Sequence, residues 1–282
     1  MRLIRLGSAG AEKPAALLDD DSYIDLSDVV EDFNEAFFAA GRMDEIANLV
    51  ADRWDTAQPI GDQRIGSPIA RPHQILCIGL NYSDHAAETG QKVPSEPILF
   101  TKSPNTMQGP NDDVQIPRNS TKTDWEVELG IVIGRRCSYL ADEAEAAVSI
   151  AGYTIVNDVS EREWQIERGG QWSKGKSAPT FNPTGPWLVT PDEVGDVLAL
   201  DMFLDVDDVR RQDGSTSTMI FSPTFIVHYL SQFLTLEPGD LINTGTPPGV
   251  GMGAKPPTYL AGGETLTLGI SKLGQQKQRV LA

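Results

Sequence analysis

The sequence predicts a β-rich α+β fold, with a small N-terminal α+β domain at residues 1–70 and a larger domain at residues 71–282. After Pro72, short apolar runs bounded by Pro and Gly outnumber helical patterns and do not alternate strictly with them. Before residue 70, two strand-like runs precede a longer stretch with helical spacing. A length of 282 residues suits one large domain or two unequal ones.

The N-terminal segment begins with two predicted strands, Arg2–Leu6 and Ala15–Leu18, on either side of a turn-rich sequence. Apolar residues then recur with helical spacing between Val29 and Val50. Residues 61–72 contain two Gly and two Pro, which is typical of a linker. These features predict that the small domain ends near residue 70.

The larger domain contains mainly short strands. Apolar runs predict strands at Ile75–Ile78, Ile98–Thr101, Trp125–Ile133, Tyr153–Val156, Trp187–Val189, Leu200–Val206, Leu241–Asn243 and Leu266–Ile270. Helical patterns lie at Ser83–Glu88, Asp142–Val148, Ser160–Arg168 and Pro223–Leu234. The lack of strict alternation favours a β-rich fold over a doubly wound sheet.

The charge balance argues against polyanionic partners. The chain has 40 acidic and 23 basic residues, a formal charge of −17, and its basic residues form no run. Nucleic acid binding needs a basic stripe, and anionic lipid is a poor match for an acidic surface. We therefore expect no nucleic acid or membrane partner, and solubility alone explains the charge.

The two cysteines, Cys77 and Cys137, do not form a disulfide framework or a zinc-type spacing. Residues 1–5 lack the apolar stretch of a signal peptide, and no window approaches 18 uninterrupted apolar residues. These observations predict a cytoplasmic protein.

Two glycine-rich segments resemble nucleotide-binding loops. Residues 170–177 fit the P-loop pattern, and residues 249–253 approach a dinucleotide fingerprint. Both patterns require a following helix, but Pro179 and Pro256 come too soon for one. We therefore expect no nucleotide at either segment.

The strongest local signal is an acidic motif at the start of an apolar strand, residues 125–133. Alternation places Trp125 and Val127 on one sheet face and Glu126 and Glu128 on the other. Adjacent carboxylates repel each other and are costly to bury, and a divalent cation would remove that cost. Alternatively, the strand begins at a solvated edge and both glutamates face water.

A second acid, Asp158, ends the apolar run that starts at Tyr153. Carboxylates from two strand ends, with open coordination positions, suit a hard cation such as Mg²⁺ or Mn²⁺. Alternatively, Asp158 is the N-cap of a following helix.

A third signal is a histidine–glutamate pair. His85 and Glu88 are three residues apart on a short predicted helix, so they share a face and can form a hydrogen bond. Such a pair can hold the imidazole in one tautomer, ready to accept a proton from water. The pair can equally be an ordinary exposed helix pair, and His228 is more typical of a packed histidine in an apolar helix.

Together these motifs resemble the fumarylacetoacetate hydrolase family over residues 72–280. The matching motifs are Gly79–Tyr82 with His85 and Glu88, Glu126–Gly130, Asn157–Asp158, Arg162 with Gln165, Lys176–Ser177, Met219–Ser222, Thr244–Pro247 and Gly249–Gly251. The resemblance implies a mixed β-roll with Mg²⁺ or Mn²⁺ bound by Glu126, Glu128 and Asp158. The implied substrate is a small anionic keto acid, with the metal as Lewis acid toward its enolate and His85 activating water.

The resemblance also implies roles for other side chains. The implied catalytic residues are His85, Glu88, Lys176 and Gln165, and the implied substrate contacts are Tyr82, Arg162, Thr246 and Lys102. Lys176 could instead be a solvated surface cation. Many family members have Arg where this chain has Leu80, which weakens the case for a second substrate carboxylate unless Lys102 or Arg162 replaces that cation.

The implied reaction is hydrolysis of the C–C bond of a 2,4-diketo acid to pyruvate and a carboxylic acid, by a homodimer. Leu80 and the segment from Leu6 to Pro14 favour the bacterial subgroup that resembles 2,4-diketo-3-deoxy-sugar-acid (L-rhamnonate or L-fuconate) hydrolases. Oxaloacetate decarboxylation and 2-hydroxyhepta-2,4-diene-1,7-dioate-type isomerisation use the same site and are the alternatives. A metal-binding or carrier protein without catalysis is a third possibility.

Overall fold

The computed structural model describes residues 1–88, 90 and 92–282. Strands β1 to β18 span Arg2–Leu6, Lys13–Leu17, Ser22–Asp25, Gln58–Pro59, Ile75–Gly79, Ile98–Lys102, Met107–Gln108, Val114–Gln115, Thr123–Asp124, Val127–Ile133, Ile150–Asn157, Ser160–Glu161, Asn182–Val189, Asp201–Val206, Val209–Ser215, Leu241–Asn243, Thr265–Ile270 and Gly274–Leu281. Helices α1 to α7 span Glu35–Ala39, Met43–Asp52, Ser83–Glu88, Glu143–Ala147, Ser173–Lys176, Pro191–Val194 and Pro223–Ser231. The predicted β-rich α+β fold is confirmed.

The largest sheet is mixed and has the strand order β4-β3-β2-β1-β13-β11-β10-β16-β5-β6, with β7 pairing to β13. Strand β10 runs antiparallel to both β11 and β16, and Val127 of β10 faces Asn157 of β11. Because Glu126 precedes β10 and Asp158 follows β11, the two acids meet at one end of this strand pair.

A second sheet, with the order β15-β14-β17-β18-β8, packs against the first. Leu129 and Ile131 of β10 share one apolar cluster with Leu204 and Leu268 of this sheet. Val132 lies in a different cluster, with residues from the N-terminal segment. Strand β10 is thus buried on both faces, and the predicted alternation along it is confirmed.

The N-terminal segment extends the large sheet, because β1 pairs antiparallel with β13 and β2 to β4 follow outward. Phe37 and Phe38 of α1 and Ile46 of α2 pack on the same face as Val132. The boundary near residue 70 and the division into two domains stay predictions.

Several predicted elements have different bounds in the structure. The strand predicted at Trp125–Ile133 begins at Val127, and the helix predicted to end at Leu234 ends at Ser231. The helix predicted at Ser160–Arg168 is wrong in its first part, because Ser160–Glu161 pairs with β9 as strand β12. Glu163–Glu167 then forms a π-helical turn.

Each helix in the described part of the chain is too short or too polar to cross a lipid bilayer.

Candidate active site

Three buried carboxylates meet where β10 begins and β11 ends. Glu126, Glu128 and Asp158 are 6%, 2% and 0% exposed, and each offers an oxygen within 4.8 Å of the others. The backbone holds the arrangement, because Asp158 N–H donates to the Glu126 carbonyl at 2.9 Å. The solvated-edge alternative for the glutamates is therefore wrong, and the acids predicted as metal ligands lie together.

Three buried cations surround this triad. Lys176 Nζ lies 2.7 Å from Glu126 Oε2 and 2.9 Å from Asp158 Oδ2. Arg162 Nη2 lies 2.7 Å from Glu126 Oε1, and Lys102 Nζ forms an ion pair with Asp158 Oδ1. Lys176 is 2% exposed, so its alternative as a solvated surface cation is wrong.

The cations neutralise the three acids unequally. Burial alone would raise the pKa of Glu126, but Lys176 and Arg162 lower this pKa to about 2. Burial, and then the charges of Asp158 and Glu126, raise the pKa of Glu128 well above its usual range. Gly245 N–H donates to Glu128 Oε2 at 2.8 Å. The Glu128 carboxylate is thus the acid whose negative charge most requires a bound cation.

The donor set fits a divalent metal. Oxygen ligands from three carboxylates, drawn from two neighbouring strands, are the chemistry that Mg²⁺ and Mn²⁺ prefer. Glu126, Glu128 and Asp158 would hold the ion, and Lys102, which pairs with Asp158 Oδ1, would fix that carboxylate.

His85 and Glu88 form the predicted pair. His85 Nδ1 lies 3.0 Å from Glu88 Oε2, and Gly249 N–H donates to Glu88 Oε1 at 3.1 Å. A carboxylate beside Nδ1 keeps the imidazole proton on that nitrogen, which makes Nε2 the basic atom. His85 is 7% exposed, so the pair is not an ordinary exposed helix pair.

One cavity of about 60 Å³ brings most of these groups together. The predicted site residues among its lining are His85, Glu126, Glu128, Arg162, Gln165, Lys176 and Thr246. Asp158 completes the triad without lining the cavity. A groove of about 980 Å³ at residues 115–121 and 259–261 is larger but is lined by none of these groups. The size of a cavity therefore does not identify the candidate active site in this protein.

Two predicted substrate contacts lie elsewhere. Tyr82 is fully buried in the apolar core, and its hydroxyl lies 3.2 Å from Met202 Sδ. Lys102 donates to Asp158 and to the carbonyls of Val159 and Phe181, so its ammonium is committed to protein acceptors. Neither side chain lines the cavity, and substrate contact by either one stays a prediction.

The other two predicted contacts line the cavity but are held by the protein. Arg162 donates to Asp124 and to Gln165 Oε1 and pairs with Glu126. The Thr246 hydroxyl donates to the Val127 carbonyl at 2.9 Å and accepts from Gln212 Nε2 at 2.7 Å, and a substrate contact at Thr246 stays a prediction.

Asp124 is a buried acid of the site that the sequence motifs did not predict. This fully buried acid accepts hydrogen bonds from Arg162 and from the backbone N–H groups of Gly251 and Met252. It therefore anchors the second glycine-rich loop to the acidic site. A Cβ at Gly251 would overlap the Thr258 carbonyl oxygen, which explains the glycine. The position of Asp124 directly before Trp125 and Glu126 was the one sequence feature that could have predicted this role.

The other glycine-rich segment has a local role as well. Residues 173–176 form the short helix α5, which follows a π-helical turn rather than a strand and ends at Lys176. Helix α5 thus delivers a buried cation to the carboxylates.

Comparison with known proteins gives the family. Residues 74–281 match the family described as fumarylacetoacetate (FAA) hydrolase C-terminal. A Burkholderia multivorans protein, provisionally named a hydrolase, is 52% identical over 281 residues, covering 99% of this chain and 98% of that protein.

Two solved structures are similar over the whole chain. Fumarylacetoacetate hydrolase from Exiguobacterium antarcticum is 31% identical with a TM-score of 0.87, covering 100% of this chain and 99% of that one. A 2-hydroxyhepta-2,4-diene-1,7-dioate isomerase from Mycobacterium marinum is 31% identical with a TM-score of 0.78, covering 100% and 98%. The chain therefore belongs to the fumarylacetoacetate hydrolase family, whose members include hydrolases and isomerases, and it is an enzyme of that family.

Proposed function

We propose that this enzyme is a Mg²⁺- or Mn²⁺-dependent hydrolase that cleaves the C–C bond of a 2,4-diketo acid, releasing pyruvate and a carboxylic acid. The observation that carries the proposal is the meeting of a buried carboxylate triad and a His–Glu pair in one cavity. The bound metal would supply Lewis acidity toward the 2-keto acid end of the substrate.

The chain's own residues account for the proton transfers. His85 Nε2 accepts a proton from water, and Glu88 stabilises the imidazolium that forms. The resulting hydroxide adds to the C4 carbonyl, the C3–C4 bond breaks, and C3 takes a proton to become the pyruvate methyl group. The C4 fragment leaves as the carboxylic acid, so one water is consumed per turnover.

Lys176, Arg162 and Gln165 prepare the pocket for an anion. The protein as a whole carries −17, which repels an anionic keto acid at long range. Lys176 and Arg162 place two cations in the lining of the cavity. Arg162 Nη1 donates a hydrogen bond to Gln165 Oε1 at 3.0 Å, which orients the Gln165 side chain. Screening by moderate salt should therefore assist substrate capture.

Replacement of His85 tests the water-activating role. In His85→Ala we expect pyruvate release to fall about 10²- to 10⁴-fold, because general base catalysis contributes that much. Mn²⁺ binding, measured by titration calorimetry, should stay within about twofold because His85 is not in the triad. The exposed His73→Ala is the matched control. Full activity in His85→Ala would remove this histidine from the mechanism.

The second candidate is isomerisation of a hydroxydienoate-type acid, which the name of the Mycobacterium marinum neighbour favours. Decarboxylation of oxaloacetate is the third. Decarboxylation needs no base for water and should survive in His85→Ala, whereas hydrolysis should not. Neither alternative places an oxygen atom from water in a carboxylic acid product.

We also propose a homodimer. The rings of Phe225 and Tyr229 in α7 stack with centroids 6.3 Å apart, and the Phe233 ring just after α7 lies tilted 5.0 Å from that of Tyr229 and is 63% exposed. Phe225 and Tyr229 are partly buried, so the row ends in one exposed ring, and aromatic residues at the surface are typical of interfaces. Sedimentation of the enzyme beside Phe233→Asp measures the oligomeric state, and a monomeric native enzyme would contradict the proposal.

A further inference from the structure

The cavity is lined by charged side chains where it is buried and by apolar side chains where it opens to solvent. All of its charged lining side chains, His85 included, are buried. Four lining residues are partly or largely exposed, and all four are apolar: Leu80, Ile166, Trp172 and Met252. We call the lining residues Glu126, Glu128, Lys176 and Arg162, together with Asp158 that pairs with Lys176, the floor, and these four apolar residues the mouth.

Trp172 connects the mouth to the buried part of the cavity through its packing contacts. The Trp172 ring meets Phe100 edge to face, with centroids 5.3 Å apart. It also lies against Gly79, where a Cβ would overlap the ring. Phe100 in turn has the Lys176 ammonium 5.3 Å from its ring centroid, so the aromatic pair reaches from the mouth to the floor.

The cavity is too small to enclose a whole substrate. About 60 Å³ has room for only a few water-sized groups, which suits the carboxylate and keto end of a 2-keto acid. Any group beyond the second carbonyl must therefore extend to the mouth, where the lining residues in the described part of the chain provide no charged side chain and no hydroxyl.

From this geometry we infer that the enzyme selects 2,4-diketo acids with an apolar alkyl or aryl group on C4, over substrates with a terminal carboxylate or a polyhydroxylated tail. The inference rests on the proposed function. Leu80 in place of Arg already predicts a substrate tail without a second carboxylate. The geometry of the mouth adds that this tail is apolar and does not carry the hydroxyl groups of a sugar acid. A hydroxylated tail would lose several hydrogen bonds with water at this surface, where the indole N–H of Trp172 is the one side-chain donor among the four mouth residues.

A substrate panel tests the inference on the unmodified enzyme. We expect kcat/KM for pyruvate release to rise about threefold per added methylene from 2,4-dioxopentanoate to 2,4-dioxooctanoate. The phenyl compound 2,4-dioxo-4-phenylbutanoate should exceed a 2,4-diketo-3-deoxy sugar acid at least about thirtyfold. Preference for the sugar acid or for a dicarboxylate would overturn the inference and leave the proposed function intact. Release of pyruvate from no substrate, with either metal, would overturn both.

Substitution of Trp172 tests its part in selection. In Trp172→Ala we expect kcat/KM for the phenyl substrate to fall about thirtyfold, and for 2,4-dioxopentanoate less than threefold, because the short substrate does not reach the ring. Gly79→Ala should shift the ring and give a weaker form of the same pattern. Trp54→Ala, at a tryptophan 67% exposed outside the cavity, is the matched control. An equal loss for both substrates would contradict a selective role.

Leu80→Arg adds a reciprocal test. It should lower kcat/KM for the phenyl substrate and raise it about tenfold for a diketo acid with a terminal carboxylate, because the mouth then offers a cation. Unchanged preference in this variant would show that Leu80 does not contact the tail.

Discussion

The three carboxylates of the floor lie at or near the ends of two central strands, whereas its two cations and the mouth come from loops and short helical turns. Glu126 and Asp158 are fixed across β10 and β11, inside a sheet that is buried on both faces. Trp172 precedes the short helix α5, and Ile166 lies in a π-helical turn. Strands thus fix the carboxylates proposed to bind the metal, while loop side chains carry the proposed selection of the substrate tail.

The largest effect should follow from removing charge at the floor. In Glu126→Gln, Mn²⁺ binding should weaken and pyruvate release should fall by at least about a thousandfold, because the metal contributes several kcal/mol to transition-state stabilisation. Calorimetry and a coupled pyruvate assay measure the two effects, with the exposed Glu31→Gln as control. Loss of turnover with unchanged metal affinity would show that Glu126 is not a ligand.

A smaller effect, on stability, should follow from Lys102→Met. This side chain is buried beside Asp158, and its removal takes away one of the two buried cations, Lys102 and Lys176, that compensate the Asp158 charge. We expect the free energy of unfolding to fall by about 3 kcal/mol, measured by urea denaturation. Lys13→Met is the exposed control in β2. An unchanged midpoint would mean that Lys102 does not stabilise the floor.

The smallest effect should arise at the mouth, in Ile166→Ala. Ile166 is 48% exposed, so it can bury only part of its surface against a substrate. We expect kcat/KM for the phenyl substrate to fall about threefold, and urea stability to stay within about 0.5 kcal/mol. A loss of activity as large as in Glu126→Gln would make the mouth part of the reacting machinery.

The sequence predicts the floor better than the mouth. Alternation along residues 125–133 separates Glu126 and Glu128 from the apolar face, and the acid ending β11 adds Asp158. The mouth comes from four separate segments whose residues share no spacing, so its apolar character appears only in the folded chain. Tyr82 belongs to one of the predicted motifs, but its ring is buried in the apolar core, which the motif alone did not show.

Strands β18 and β15 were not predicted, because neither has apolar residues at alternating positions along its sequence. Strand β18 alternates in burial, but Gln276 and Gln278 occupy inward positions and satisfy carbonyl groups of Ile155 and Pro110. Strand β18 therefore has polar residues at buried positions where the sequence pattern of a strand would place apolar ones. Strand β15 is a sheet edge with mostly exposed polar residues, so it carries no alternation to detect.

The most direct test of the account follows oxygen from water into the product. The enzyme is freed of metal with a chelator, supplied with Mg²⁺ or Mn²⁺, and given 2,4-dioxo-4-phenylbutanoate in ¹⁸O-labelled water. Mass spectrometry should then find pyruvate together with benzoate carrying one ¹⁸O at its carboxylate, formed only after metal is restored. Turnover of the diketo acid without labelled benzoate, or labelled benzoate formed without metal, would contradict the account.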